Sequence, residues 1–210
     1  MTDKHEAQTA VPLLSIWLRP RVTVRNLIEK KSYWPAYLFA AISGIVNAFD
    51  FVQQNEWGAR LEPATMIVAT IGAGIVTGIG FLLLLALFFQ FFGRWLGGKG
   101  SFGELSIAVG WAMLPFVGTF VISIAEFSVY GTAFLTGGEA LLEAQAANTG
   151  FHITMLLLSF VLAVYAIIML AAGIAEAHRI TVMQGIGVLF IFAILYLIFW
   201  ISIQAISIGI

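Results

Sequence analysis

The stretch Phe151-His-Ile-Thr-Met-Leu-Leu-Leu-Ser-Phe-Val-Leu-Ala-Val-Tyr-Ala-Ile-Ile-Met-Leu-Ala-Ala-Gly-Ile-Ala175 contains no Asp, Glu, Lys or Arg. About 20 such residues in a helix cross the roughly 30 Å hydrocarbon layer of a bilayer. Soluble core helices rarely stay apolar on every face for so long. Four further long apolar runs lie near residues 33–51, 64–92, 105–130 and 185–210, the first and third of these four carrying one carboxylate each, Asp50 and Glu126. The 64–92 run exceeds what a bilayer needs, which predicts tilt or an end protruding into the headgroups. All five runs are continuous, without the in/out alternation of barrel strands. The chain therefore reads as an all-α polytopic membrane protein with five transmembrane helices.

Composition points the same way. Of 210 residues, 60% are hydrophobic and only 10% charged, whereas soluble domains are roughly 25% charged. A cytosolic globular enzyme and a disordered chain are both excluded. Cysteine is absent, so disulfides, thiolate metal sites and cysteine nucleophiles are excluded as well.

Lys and Arg set the orientation. Lys4, Arg19, Arg21, Arg25, Lys30 and Lys31 precede the first run. Arg94 and Lys99 follow the second, and Arg179 follows the fourth. The other two connections hold Arg60 alone among basic residues, against Asp50, Glu56, Glu62, Glu139 and Glu143. This alternation predicts a cytoplasmic N-terminus and an external C-terminus. No cleavable signal is visible in the first residues, so the first span is expected to direct its own insertion.

The chain divides into a cytoplasmic segment, 1–32, and a five-helix domain, 33–210. Pro20 suits the first position of a short helix. Val24, Leu27 and Ile28 recur at helical spacing away from Arg21, Arg25 and Lys30, and Leu13, Leu14, Trp17 and Leu18 form an apolar cluster upstream. A basic amphipathic segment of this kind is expected in the headgroup layer. The alternative is a docking surface for a soluble partner.

Within the spans, Gly74 and Gly78 form a GxxxG that permits close helix approach, inside the bundle or in a dimer. Pro115 should kink the third span. Asp50, Glu126, Glu176 and His178 are the ionisable groups nearest membrane depth, and no opposite charge is deep enough to pair with the carboxylates. They are expected either to stay hydrated near an interface or to line an ion path. Gly93 to Lys99 imitates a phosphate loop, but Gly100 stands where Ser or Thr is required and no strand precedes it. Gly98 and Gly100 instead predict a tight turn capped by Ser101. Glu176 and His178, two apart, point in different directions from a helix. His152 stands alone. Thr136-Gly-Gly followed by Glu139 to Ala147 predicts a short helix outside the membrane, ended by Gly150.

Three stretches together resemble the Yip1 family of five-span membrane proteins, in its bacterial branch. They are Trp17-Leu-Arg-Pro20-Arg-Val-Thr-Val-Arg25, Leu96-Gly-Gly-Lys-Gly-Ser-Phe102 ahead of Pro115, and Glu176-Ala-His-Arg179 before the last span. The resemblance covers roughly residues 13 to 205. It implies a five-span fold and, by analogy with eukaryotic members, an adaptor role. The eukaryotic Asp-Leu-Tyr-Gly-Pro signature is absent, so binding to Rab-type GTPases is not carried over.

The expected function is a non-catalytic scaffold or adaptor in a bacterial inner membrane. Its cytoplasmic face would be built from Trp17, Arg19, Arg21, Arg25, Lys99 and Arg179, and would meet protein partners or anionic lipid. The alternative is a small transporter or channel using Asp50, Glu126 and Glu176. Expected partners are the bilayer, a membrane or cytoplasmic protein, or a second copy of the chain. No cofactor, metal or nucleic acid is expected.

Overall fold

The computed structural model describes residues 12–57 and 62–208. Lys4 and Arg60, which entered the charge asymmetry, lie outside the described residues. Two short helices, α1 (Pro12–Leu18) and α2 (Pro20–Glu29), precede α3 (Tyr33–Gln54) and α4 (Pro63–Trp95). The third span is made of α5 (Phe102–Ala112) and α6 (Leu114–Tyr130). Then follow α7 (Thr132–Thr136), α8 (Gly138–Ala147), α9 (Thr149–His178) and α10 (Val182–Ile208). Five helical stretches are long and apolar enough to cross a bilayer, and no strand occurs among the described residues. The protein is an all-α, multi-pass membrane protein.

Local chemistry explains where these elements begin and end. Glu62 caps α4 by accepting the Thr65 N–H at 2.9 Å, and Pro63, which has no N–H to leave unpaired, occupies the first turn. The Glu62 carboxyl lies below its ordinary pKa because the Thr65 and Ala64 amides favour its charged form. At 33 residues α4 is about 50 Å long, so it must tilt or protrude. Pro115 does more than kink the third span. The α-helix stops at Ala112, and the Met113 and Phe116 N–H groups reach back only three residues, to Gly110 and Met113. The helix restarts with Pro115 in its first turn.

The connection after the third span differs from the expectation of one helix ended by Gly150. It forms two helices, and Gly150 lies inside the first turn of α9. Asn148 ends α8 instead, with its backbone N–H and side-chain amide turned back onto Ala144 O. At Gly137 the chain takes a φ of +72° and passes against the Gln53 backbone, where a side chain would collide.

The helices pack around the third span, the most buried of the five. Its first half, α5, is buried from Leu105 through Ala112 and touches α2, α3, α4 and α9. The tightest pair is α3 with α4. A Cβ on Gly44 would fall on Gly74 O and the Gly78 backbone, and one on Gly78 would fall on Ala40 O. The GxxxG thus serves a crossing inside the bundle. In contrast, α10 lies at the periphery against α4 and α9. The apolar side of α2 is not spread on the headgroup layer: Val24 and Leu27 are buried in the same core as Leu105 and Ile174.

Candidate functional site at the basic end

Two ends of the bundle can be told apart by charge. The basic end carries α1, α2, the α4–α5 turn and the α9–α10 turn, and Glu176 sits there with its side chain only 7% exposed. The spacing of Arg21 and Arg25 places both on one face of α2, and α2 packs along α9. Arg21 Nε donates to Glu176 Oε2 at 3.2 Å, and Arg25 Nε donates to Oε1. The expectation that no opposite charge could reach these carboxylates is therefore overturned for Glu176. It fails because α2 folds back onto the span instead of lying away from it. A buried carboxylate is stable only when paired and hydrogen-bonded. Glu176 has both, while the two arginine side chains remain about half exposed. The hydrogen bond and charge of Glu176 also raise the Arg25 pKa, so Arg25 stays cationic.

A second pair closes the other side. Arg179, in the left-handed conformation that ends α9, donates from Nη2 to Glu104 Oε1 at 2.8 Å. Glu104 Oε2 accepts the Ser101 N–H at 2.7 Å, and Ser101 Oγ accepts the Glu104 N–H in return. This capping box confirms Ser101 as the residue that starts α5. Between the pairs lies a cavity of about 440 Å³ lined by Arg21, Arg25 and Arg179 together with Glu29, Glu104 and Glu176. Three cations face three anions, so the cavity is charge-balanced rather than basic.

His178 fills a different niche and is fully buried. Its Nδ1 accepts the Gly100 N–H at 3.0 Å, and its Nε2 lies 2.9 Å from Phe89 O. Since Nδ1 is an acceptor here, the ring proton is assigned to Nε2, which donates to the Phe89 carbonyl. The His178 carbonyl in turn accepts the Lys99 N–H at 3.0 Å. A Cβ on Gly93 or Gly98 would overlap the imidazole, and one on Gly100 would crowd Ala177 O and the ring. The sequence that imitates a phosphate loop is thus a cradle for a histidine 78 residues away from Gly100. Gln184 Nε2 adds a bond to Leu96 O at 3.2 Å and ties the same two turns together.

The remaining candidates are distributed as follows. Trp17 stacks on Tyr165, with ring centroids 4.7 Å apart. Arg19 and Lys99 have exposed side chains at the basic end. Asp50 and Glu126 lie at the opposite, acidic end, where Asp50 and His152 act electrostatically on Glu126. Nearby, Gln53 Nε2, Tyr130 OH and His152 Nδ1 are buried without a protein hydrogen-bond partner. Asp50, Glu126 and Glu176 therefore do not converge. A cavity of about 610 Å³ within the bundle is walled mainly by residues such as Phe81, Leu85, Phe89 and Phe116, with Ser43, Asn47 and Thr77 as its polar members. Among the described residues, no three His, Asp or Glu side chains meet as a metal would require.

Sequence reasoning missed three things: the partners of Glu176, the role of Glu104, and the meeting of His178 with the glycine turn. Signals for each were present. Arg21 and Arg25 share a helix face, Ser101-x-x-Glu104 is a capping box, and Gly93, Gly98 and Gly100 mark a backbone approached closely from outside.

Comparison with known proteins adds one finding: the chain matches the family model of the Yip1 domain over residues 14–203. No curated protein and no solved structure gives a significant match.

Proposed function

The chain belongs to the Yip1 family, and from that premise we propose that it is a non-catalytic scaffold or adaptor whose basic end faces the cytoplasm of a bacterial inner membrane and receives an acidic protein segment. The observation that carries this reading is the pair of half-exposed arginine side chains on α2 that line the charge-balanced cavity. Arg21 and Arg25 bind Glu176 through Nε, which leaves their Nη groups without a hydrogen-bond partner among the described residues, on side chains that are about half exposed. Two forked donors held side by side suit a carboxylate approaching from outside. Holding them in place is the work of the three stretches that carry the family resemblance. Trp17–Arg25 supplies the cations, Glu176–Arg179 orients them, and Leu96–Phe102 clamps His178. A surface assembled this way presents a fixed pattern of charge, as an adaptor requires.

Photo-crosslinking in intact membranes from Arg19, Lys99 and Arg179 tests the reading. One protein captured in stoichiometric amount, and lost in Arg21→Gln/Arg25→Gln, is the expected result. Capture of lipid alone, or of the chain itself alone, overturns it.

A second reading rests on the acidic end. Buried polar atoms without protein partners near Glu126 are what a hydrated ion path contains. If the protein conducts protons or cations, proteoliposomes loaded with pH- or cation-sensitive dyes will show a flux that Glu126→Gln removes. No flux across a broad ion panel removes this reading.

A further inference from the structure

The seven residues of α1, Pro-Leu-Leu-Ser-Ile-Trp-Leu, carry no charge, yet only Ile16 among them is fully buried. Leu13, Leu14 and Leu18 are 45%, 71% and 85% exposed. Three exposed leucines on two turns of helix form an apolar patch outside the five spans, and such a patch marks contact with another apolar phase.

Depth along α9 identifies that phase. Glu176, paired with Arg21 and Arg25, marks the polar layer at the basic end. Exposed Trp34 at the start of α3 and Trp95 at the end of α4 mark the same interface independently. Trp17 is stacked on Tyr165 at 4.7 Å, and Tyr165 precedes Glu176 by eleven residues of α9, about 16 Å along the helix axis. The polar layer on each side of a bilayer is only about 5–8 Å thick. The Trp17 ring is therefore seated beyond the headgroups.

Local hydrogen bonds close part of the polar backbone of the arm, as a segment at that depth needs. At the corner between α1 and α2 the Arg19 N–H donates to Ser15 O at 2.8 Å, and Thr23 Oγ1 donates to Arg19 O at 2.9 Å. The hydroxyls of Thr23 and Ser15 also bond each other at 3.1 Å.

We propose that α1 is a re-entrant element embedded in the acyl layer of the leaflet at the basic end, with Leu13, Leu14 and Leu18 in contact with lipid chains. The N-terminal arm is then held to α9 at two depths. The Trp17–Tyr165 stack fixes it within the acyl layer, and the Arg21 and Arg25 bonds to Glu176 fix it at the polar layer. Lipid packing in one leaflet thereby bears directly on the helix that supplies two of the cavity's three cations. The placement rests on this geometry alone and does not depend on the adaptor role.

The chain has no cysteine, so a single introduced thiol is unique. Leu14→Cys, Leu18→Cys and the exposed control Lys30→Cys each carry an environment-sensitive fluorophore on the full chain in phosphatidylcholine–phosphatidylglycerol vesicles. Labels at 14 and 18 are expected to emit to the blue and to be quenched severalfold more by acyl-brominated lipid than by aqueous iodide, with the order reversed at 30. Iodide access at 14 and 18 equal to that at 30 places α1 in water and overturns the proposal. Shielding of both labels from both quenchers shows that protein covers the patch, and overturns it equally. Agreement between the two leucine positions guards against one variant that misfolds.

Discussion

The space beside Gly93 and Gly98 is occupied by the His178 ring, and this makes a sharp comparison between glycines. Gly93→Ala overpacks a site with no slack, which costs about 1–3 kcal/mol. Its thermal unfolding midpoint in detergent should drop by several degrees. Gly80→Ala meets nothing within 4 Å and sits in a helix interior, so it should be neutral or gain up to about 1 kcal/mol. Equal behaviour of the two variants would mean that the cradle is not what Gly93 is for. Glu176 supports a second comparison, this time of charges. Arg21→Gln/Arg25→Gln strands a buried carboxylate, an unsatisfied charged group worth about 1–3 kcal/mol or more. Glu176→Gln leaves two arginine side chains already about half exposed, and should cost clearly less. Adding Glu176→Gln to the double variant should restore part of the lost midpoint. Arg21, Arg25 and Glu176 were each visible in the sequence as ionisable groups near a span end. Their pairing was not, because it depends on a contact 155 residues apart.

Among elements, α3 and α4 cross where Gly44 meets Gly74 and Gly78. The GxxxG is plain in the sequence, but a small-residue stripe fits an intramolecular crossing and a dimer equally well. The crossing predicts that Gly78→Ala weakens the monomer without changing its oligomeric state. Size-exclusion chromatography with light scattering, together with the unfolding midpoint, checks both parts. A dimer face would lose its dimer first. The Pro115 break was legible for a different reason, since a missing N–H and a ring clash act within one turn. The boundary between α8 and α9 was misread because Gly150 attracts attention as a stop signal. Asn148 does the stopping through its bonds to Ala144. Only α2 changed environment altogether: an amphipathic helix has an apolar face in any setting, and the sequence does not say whether lipid or protein will cover it.

For the whole molecule, the charge asymmetry makes a topological prediction that the missing cysteines render easy to test. Lys99→Cys should react with a membrane-impermeant maleimide only from the cytoplasmic side, and Glu143→Cys only from the other. Both side chains are exposed, so neither failure could be blamed on burial. The reverse pattern would invert the proposed orientation and move the cavity outside the cell. The five spans are not equivalent in packing. The third lies at the centre and α10 at the edge, so damage to α5 should reach further than damage to α10.

Span number, span length, the break at Pro115, the Ser101 cap and the alternation of charge were decided by the sequence alone. Each depends on residues within a turn or within one hydrophobic run, where hydropathy, missing donors and side-chain spacing act locally. The tertiary structure decided what those local features meet. It turned an apparent phosphate loop into the seat of His178 and gave Glu176 two cations. It also brought Trp17 to Tyr165. Such pairings come from helices packing against each other at fixed depths, and depth is a property of the assembled bundle that no single segment carries.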